Sequence, residues 1–149
     1  MKALIVYDSI YGNTEKIARA IAEAITPSDE VKVLRAGEAN PSELASIDLL
    51  IVGSPTHAGR PTPAIKDLLN KVPELQGVNV AAFDTRIPTK LVRVFGYAAG
   101  RIANNLKKKG STLIASPEGF FVTGGQGPLK EGELERAAAW AKGILESKK

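Results

Sequence analysis

KALIVYDSIYGNTEKIARAIAEAI, from Lys2 to Ile25, decides the fold. Its first six residues, Lys2 to Tyr7, are short, apolar and β-rich, as a buried parallel strand requires. From Asn13 the period changes. Ile17, Ala18, Ile21, Ala22 and Ile25 recur at three- and four-residue spacing, which is the apolar stripe of a helix. Asn13 is placed as its N-cap, Glu15 falls in its first turn, and Thr26-Pro27-Ser28 ends it. Between strand and helix runs the tight loop Ser9-Ile10-Tyr11-Gly12-Asn13-Thr14.

The same alternation continues outward. Val31 to Leu34 predicts a second strand, and Asn40-Pro41 opens a brief helix to about Ser46. Asp48 to Ser54 (DLLIVGS) is a third strand, the most continuously apolar and so central. A helix from about Pro63 to Val72 buries Ile65, Leu68, Leu69 and Val72. Val78 to Phe83 predicts the fourth strand. A long helix is expected from about Lys90 to Lys109, with Gly96 and Gly100 suggesting close approach to the sheet. Thr112 to Ala115 starts a fifth strand, which Gly119 to Val122 extends or resumes after Pro117. Gly127-Pro128 leads to a last helix, about Lys130 to Ser147, with Leu134, Ala137, Ala138, Ala141, Ile144 and Leu145 inward. With no repeat or linker, residues 1–149 read as one α/β domain: a doubly wound, five-stranded parallel sheet with helices on both faces. Such sheets bind ligands beyond the carboxyl ends of their strands. The segments after strands one, three and four are therefore the places to look for chemistry.

Composition narrows the classes. The chain has no cysteine, which excludes a disulfide framework, a thiolate metal site and a cysteine nucleophile. His57 is its only histidine, so a histidine metal cluster is excluded too. The apolar run before Asp8 is too short for a signal core or a membrane span, and a cytoplasmic location with no membrane partner is expected. Net charge is +4, yet Lys and Arg are scattered among 16 acidic residues and no nucleic-acid partner is expected. The run Lys107-Lys108-Lys109 before Gly110 is what a helix C-terminus favours.

The loop after strand one suits a phosphate. Backbone N–H groups at the turn and helix start point at an anion, and Ser9, Asn13 and Thr14 can add side-chain donors. The alternative is a plain capped turn. Two rival phosphate motifs, GxxxxGK followed by Ser or Thr, and GxGxxG, are both missing.

This loop resembles the phosphate loop of the flavodoxins, which reads Ser/Thr-x-Ser/Thr-Gly-Asn/Ser-Thr directly after the first strand. Here Tyr11 replaces the usual third-position hydroxyl, a variant also found in flavodoxin-like domains of larger flavoproteins and quinone reductases. The resemblance covers nearly the whole chain. It implies strand order 2-1-3-4-5 and FMN as cofactor, with Ser9, Ile10, Tyr11, Gly12, Asn13 and Thr14 at the phosphate. It places Pro55, Thr56, His57, Ala58 and Gly59 along the isoalloxazine ring. Thr56 would reach the ribityl or phosphate region, His57 would lie near the ring, and the Gly59 peptide would respond to protonation of N5, positive φ costing glycine little. Asp84, Thr85 and Arg86 would meet the pyrimidine end. Arg86 has two readings: a guanidinium that stabilises negative charge near N1, or one that pairs with Asp84 or points into water.

Neither ring loop carries an aromatic residue, so the usual stacking sandwich is missing. Trp140 reads as core. That leaves Phe95 or Tyr97, a partner protein or a second subunit to cover the ring. The implied function is electron transfer with no catalytic side chain, to redox partner proteins. Flavodoxins are usually acidic and suit basic partners; this chain is basic, so a partner with an acidic docking face is expected instead. The alternative is an NAD(P)H-dependent FMN or quinone oxidoreductase of the same fold. A phosphoacceptor receiver domain would need an aspartate where Ser54-Pro55 stands, and is rejected.

Overall fold

A computed structural model of the chain describes residues 2–26, 30–57, 59–88 and 97–147. The strands are β1 (Lys2–Tyr7), β2 (Glu30–Arg35), β3 (Leu49–Pro55), β4 (Asn79–Arg86), β5 (Thr112–Leu113) and β6 (Glu118–Phe121). The α-helices are α1 (Asn13–Ile25), α2 (Pro63–Lys71), α3 (Ala98–Lys108) and α4 (Glu133–Ser147). All strand pairs are parallel, in the order β2-β1-β3-β4-β5, and β6 also pairs with β4. β5 and β6 are thus two pieces of one fifth strand. Thr112 lies opposite Asn79, and after the interruption Glu118 lies opposite Phe83.

Period-two alternation divides the sheet between two cores. Leu4, Val6, Leu50, Val52, Val80 and Ala82 face α2 and α3. Ala3, Ile5, Tyr7, Leu49, Ile51, Ala81 and Phe83 face α1 and α4. In the second core, Phe83, Phe120 and Trp140 meet edge to face with centroids 6.0–6.2 Å apart, so Trp140 is a core residue. Phe83 lies across the bare backbone of Gly53, where a Cβ would stand 2.0 Å from the ring. The aromatic neighbours hold that ring in place. Gly53→Ala should therefore cost about 1–3 kcal/mol of stability, read from urea unfolding, as overpacked cores generally do.

Several expected boundaries shift. The brief helix is a 3-10 turn, Pro41–Ala45, whose Asn40 side chain accepts from the Ser42 N–H. Helix α3 begins at Ala98, because Tyr97 before it is extended (φ −131°, ψ 150°). The expected start at Lys90, together with Phe95 and Gly96, lies outside the described residues. Gly100 makes no close approach; the space where its Cβ would stand is open. Pro27 and Ser28 also lie outside the described residues.

Helix α4 starts at Glu133 rather than Lys130, and its start is pinned by charge. Glu133 is buried and accepts from the Phe121 N–H at 2.7 Å. Arg136 donates to Glu133 at 2.6 and 3.0 Å and to Glu118 at 2.9 Å, and also reaches the Gly119 carbonyl. Turning Glu133 inward carries its neighbour Leu134 out to 43% exposure, against its expected inward place. Hydrogen bonding to Arg136 holds the Glu133 carboxyl below its ordinary value. Burial opposes this, and the Phe121 N–H reinforces it.

A depressed carboxyl stabilises the fold fully above its unfolded pKa, about 4.3. That stabilisation is lost as pH falls through the lower folded value. Glu133→Gln should therefore lower stability at neutral pH, with the difference from the parent closing under acid. Urea midpoints across pH 3 to 7 check this.

Candidate functional site

The strand order reverses between β2 and β3 on either side of β1, and a cavity of about 410 Å³ opens there. Three of its walls are the expected loops. Ser9, Ile10, Tyr11, Asn13 and Thr14 form one, Pro55, Thr56 and His57 the second, and Thr85 and Arg86 the third. Ala58 lies outside the described residues.

The first wall is built to leave donors open. The cap of α1 is Gly12, in the left-handed region (φ 90°), which has no side chain with which to cap the first turn. Asn13 is thus the first helical residue and not the N-cap. The early N–H groups of a helix have no intrahelical partner, and in α1 they lie beside the cavity. Ser9 Oγ accepts from the Gly12 N–H at 3.0 Å, which fixes the turn and leaves its proton to donate. Thr14 Oγ1 lies 2.8 Å from Thr85 Oγ1, both hydroxyls buried. One proton serves that bond, so the pair retains the other. Ile10 and Tyr11 are 53% and 55% exposed at the rim.

Asn13 lines the cavity and has a second partner beside it. Its side-chain amide donates to the Gln126 carbonyl at 3.2 Å. Gly127, at φ 94°, packs so close that a Cβ there would stand 2.5 Å from that amide. Asn13 therefore ties α1 to the 122–129 loop. This fourth wall, with Val122, Gly125 and Gln126, was missed from sequence, as was Ile87. The glycine cluster Gly124-Gly125-Gln126-Gly127 after the last strand was the available signal.

In the second wall, Thr56 N–H donates to the Thr85 carbonyl at 2.9 Å. Its hydroxyl accepts from the Ala98 N–H at 3.1 Å, capping α3 from a distance. His57 is exposed, and its backbone bridges Arg60 at 2.9 Å in both directions. Gly59 sits in that turn at φ 79°, and its carbonyl accepts from Arg101 Nε at 2.9 Å.

In the third wall Arg86 lines the cavity and pairs with Asp84, as the second of its two readings has it. β4 runs on to Arg86, three residues beyond the expected end, because both β3 and β6 pair with it there. Asp84 and Arg86, two apart on a strand, then share a face. Arg86 donates Nε to Asp84 Oδ1 at 2.6 Å and Nη2 to Oδ2 at 2.7 Å. Its guanidinium lies 3.3 Å from the Tyr97 ring centre and against Gly119, where a Cβ would be 2.1 Å away. Asp84 is fully buried and also accepts from the Ala99 N–H at 2.9 Å. The guanidinium charge is balanced by a carboxylate, and the Asp84–Arg86 pair is a strut between β4 and the start of α3, through Ala99 and Tyr97. Tyr97 stacks on that strut.

Behind the first wall stands Arg35, at the end of β2. It donates to the Ser9 carbonyl at 3.1 Å and pairs with Glu15 at 3.3 Å. Among the described residues no cluster of His, Asp and Glu could hold a metal, and no helix is long and apolar enough to cross a membrane.

Strand order, switch point and cavity together define a doubly wound α/β protein with its site at the carboxyl edge of the sheet, an arrangement for which flavodoxins are a standard example. The flavodoxin profile matches residues 5–140, and the chain belongs to the flavodoxin family. Flavodoxins bind FMN, which is the cofactor that membership gives the chain.

Flavodoxin 2 from Bacillus cereus superposes with a TM-score of 0.84 at 24% identity, over 98% of this chain and 99% of that one. Rubredoxin oxygen:oxidoreductase from Desulfovibrio gigas superposes with a TM-score of 0.78 at 25% identity, over 98% of this chain and 35% of that one. An uncharacterized protein of Methanocaldococcus jannaschii, MJ0732, is 43% identical over 60 residues, 37% of this chain. The chain covers only 15% of the length of that relative.

Proposed function

We propose that the chain is an electron carrier that binds one FMN in the cavity at the β1–β3 switch point. The observation that carries this reading is the uncapped start of α1, where open N–H groups stand beside the hydroxyls of Ser9, Thr14 and Thr85. Such a set of neutral donors and a helix dipole suits a phosphate. FMN, when bound, supplies the redox chemistry.

The residues bind and orient. Thr14 and Ser9 hold the phosphate end, and Asn13 fixes the 122–129 wall. The Thr56 and His57 wall borders the ring, and the Asp84–Arg86 strut fixes the far end. No side chain is asked to move a proton.

The reductase alternative would need a second substrate to turn over at the same cavity. With FMN loaded, NADPH oxidation in the presence of a quinone should be negligible; robust turnover would put the reductase in place of the carrier.

A further inference from the structure

A second concave surface, about 390 Å³, runs between α2 and α3. Arg60, Lys66, Arg101 and Lys108 line it with Asn104 and Asn105, and no acidic side chain does. Among the described residues, Arg60, Lys66 and Lys108 have no carboxylate within ion-pair distance, whereas Arg19, Arg35, Arg86 and Arg136 are all paired. The acid of α2, Asp67, lines a different hollow on the other flank of that helix. The groove on the opposite face of the sheet is not equally basic. In the groove between α1 and α4, Lys16, Arg19 and Lys142 are interleaved with Glu23 and Glu135.

The basic groove starts where the cavity wall ends. Arg60 closes the hairpin whose other arm is His57, a lining residue of the cavity. Arg101 holds the Gly59 carbonyl in the turn of that hairpin.

We propose that this groove docks an acidic face of the protein's redox partner. Its cations are long, exposed side chains with no aromatic platform among them, which does not describe a closed pocket for a nucleotide. The unpaired charges of Arg60, Lys66 and Lys108 steer and orient a complementary protein surface. A partner seated there abuts the hairpin that borders the cavity. That the partner is a redox protein rests on the carrier reading; the preference for an acidic protein surface does not.

The test uses the full 15N-labelled chain, with and without FMN, titrated with a glutamate octapeptide at low salt. Amide shifts should cluster at residues 60–70 and 101–108 and fade at high salt. Lys66→Glu with Lys108→Glu should weaken binding by about tenfold, and the neutral pair Lys66→Gln with Lys108→Gln by less. Lys16→Glu with Lys142→Glu, on the α1–α4 side, should change it by less than about twofold. Shifts centred elsewhere, or equal losses in both charge-reversed pairs, would overturn the proposal. So would tripolyphosphate or a single-stranded oligonucleotide binding the groove more tightly than the peptide. FMN binding is measured separately on each sample, so loss of flavin with retained peptide binding sinks the carrier reading and leaves the groove.

Discussion

Thr14→Ala should weaken FMN roughly 10- to 100-fold and riboflavin far less, the range a lost charge-assisted hydrogen bond produces. The Thr14 hydroxyl is buried at the start of α1, 2.8 Å from Thr85, and that pair keeps one proton for an anion. Riboflavin has no phosphate to receive it. Removing the methyl and hydroxyl leaves the N–H groups of α1 in place, so a residual phosphate preference should survive. Asn13→Ala provides the contrast. Its amide holds the Gln126 carbonyl, so its loss should loosen the 122–129 wall and weaken both flavins alike. Fluorescence titration of the four combinations separates the two roles. Equal losses for Thr14→Ala would mean that the α1 start does not hold the phosphate.

Asp84→Ala should destabilise the fold by about 3–5 kcal/mol, the scale for leaving one partner of a buried pair uncompensated. The carboxylate is fully buried and serves both Arg86 and the Ala99 N–H. Its removal strands a guanidinium whose side chain is only 13% exposed, between Tyr97 and Gly119. Asp84→Asn keeps shape and an acceptor and should cost less. Arg86→Lys keeps the charge but loses the two-point bond and the stacking, and should fall between. Urea unfolding measures all three. A loss under about 1 kcal/mol for Asp84→Ala would show that the pair is not a structural strut.

The order of strands and helices was legible because both cores are written as periods. Ala3, Ile5 and Tyr7 alternate with Leu4 and Val6, while Ile17, Ala18, Ile21 and Ile25 keep helical spacing. Three of the cavity walls were legible because strand ends carry turn residues. The rest was set by tertiary pairing, which local pattern does not contain. The extra length of β4 depends on β3 and β6 lying beside it, and only that length places Asp84 and Arg86 on one face. Asn13 has the chemistry of a cap, but the left-handed Gly12 takes that position and the 122–129 loop takes the amide. That loop follows the fifth strand and reads, in sequence, as no more than a lead into α4.

The central claim is that the β1–β3 cavity holds FMN by its phosphate. Titrating the flavin-free chain with FMN, FAD and riboflavin, with mass spectrometry of what stays bound, tests it most directly. One FMN per chain is expected, with riboflavin much weaker and FAD excluded. FAD retained in preference, riboflavin bound as tightly as FMN, or no flavin bound at micromolar concentration would contradict it.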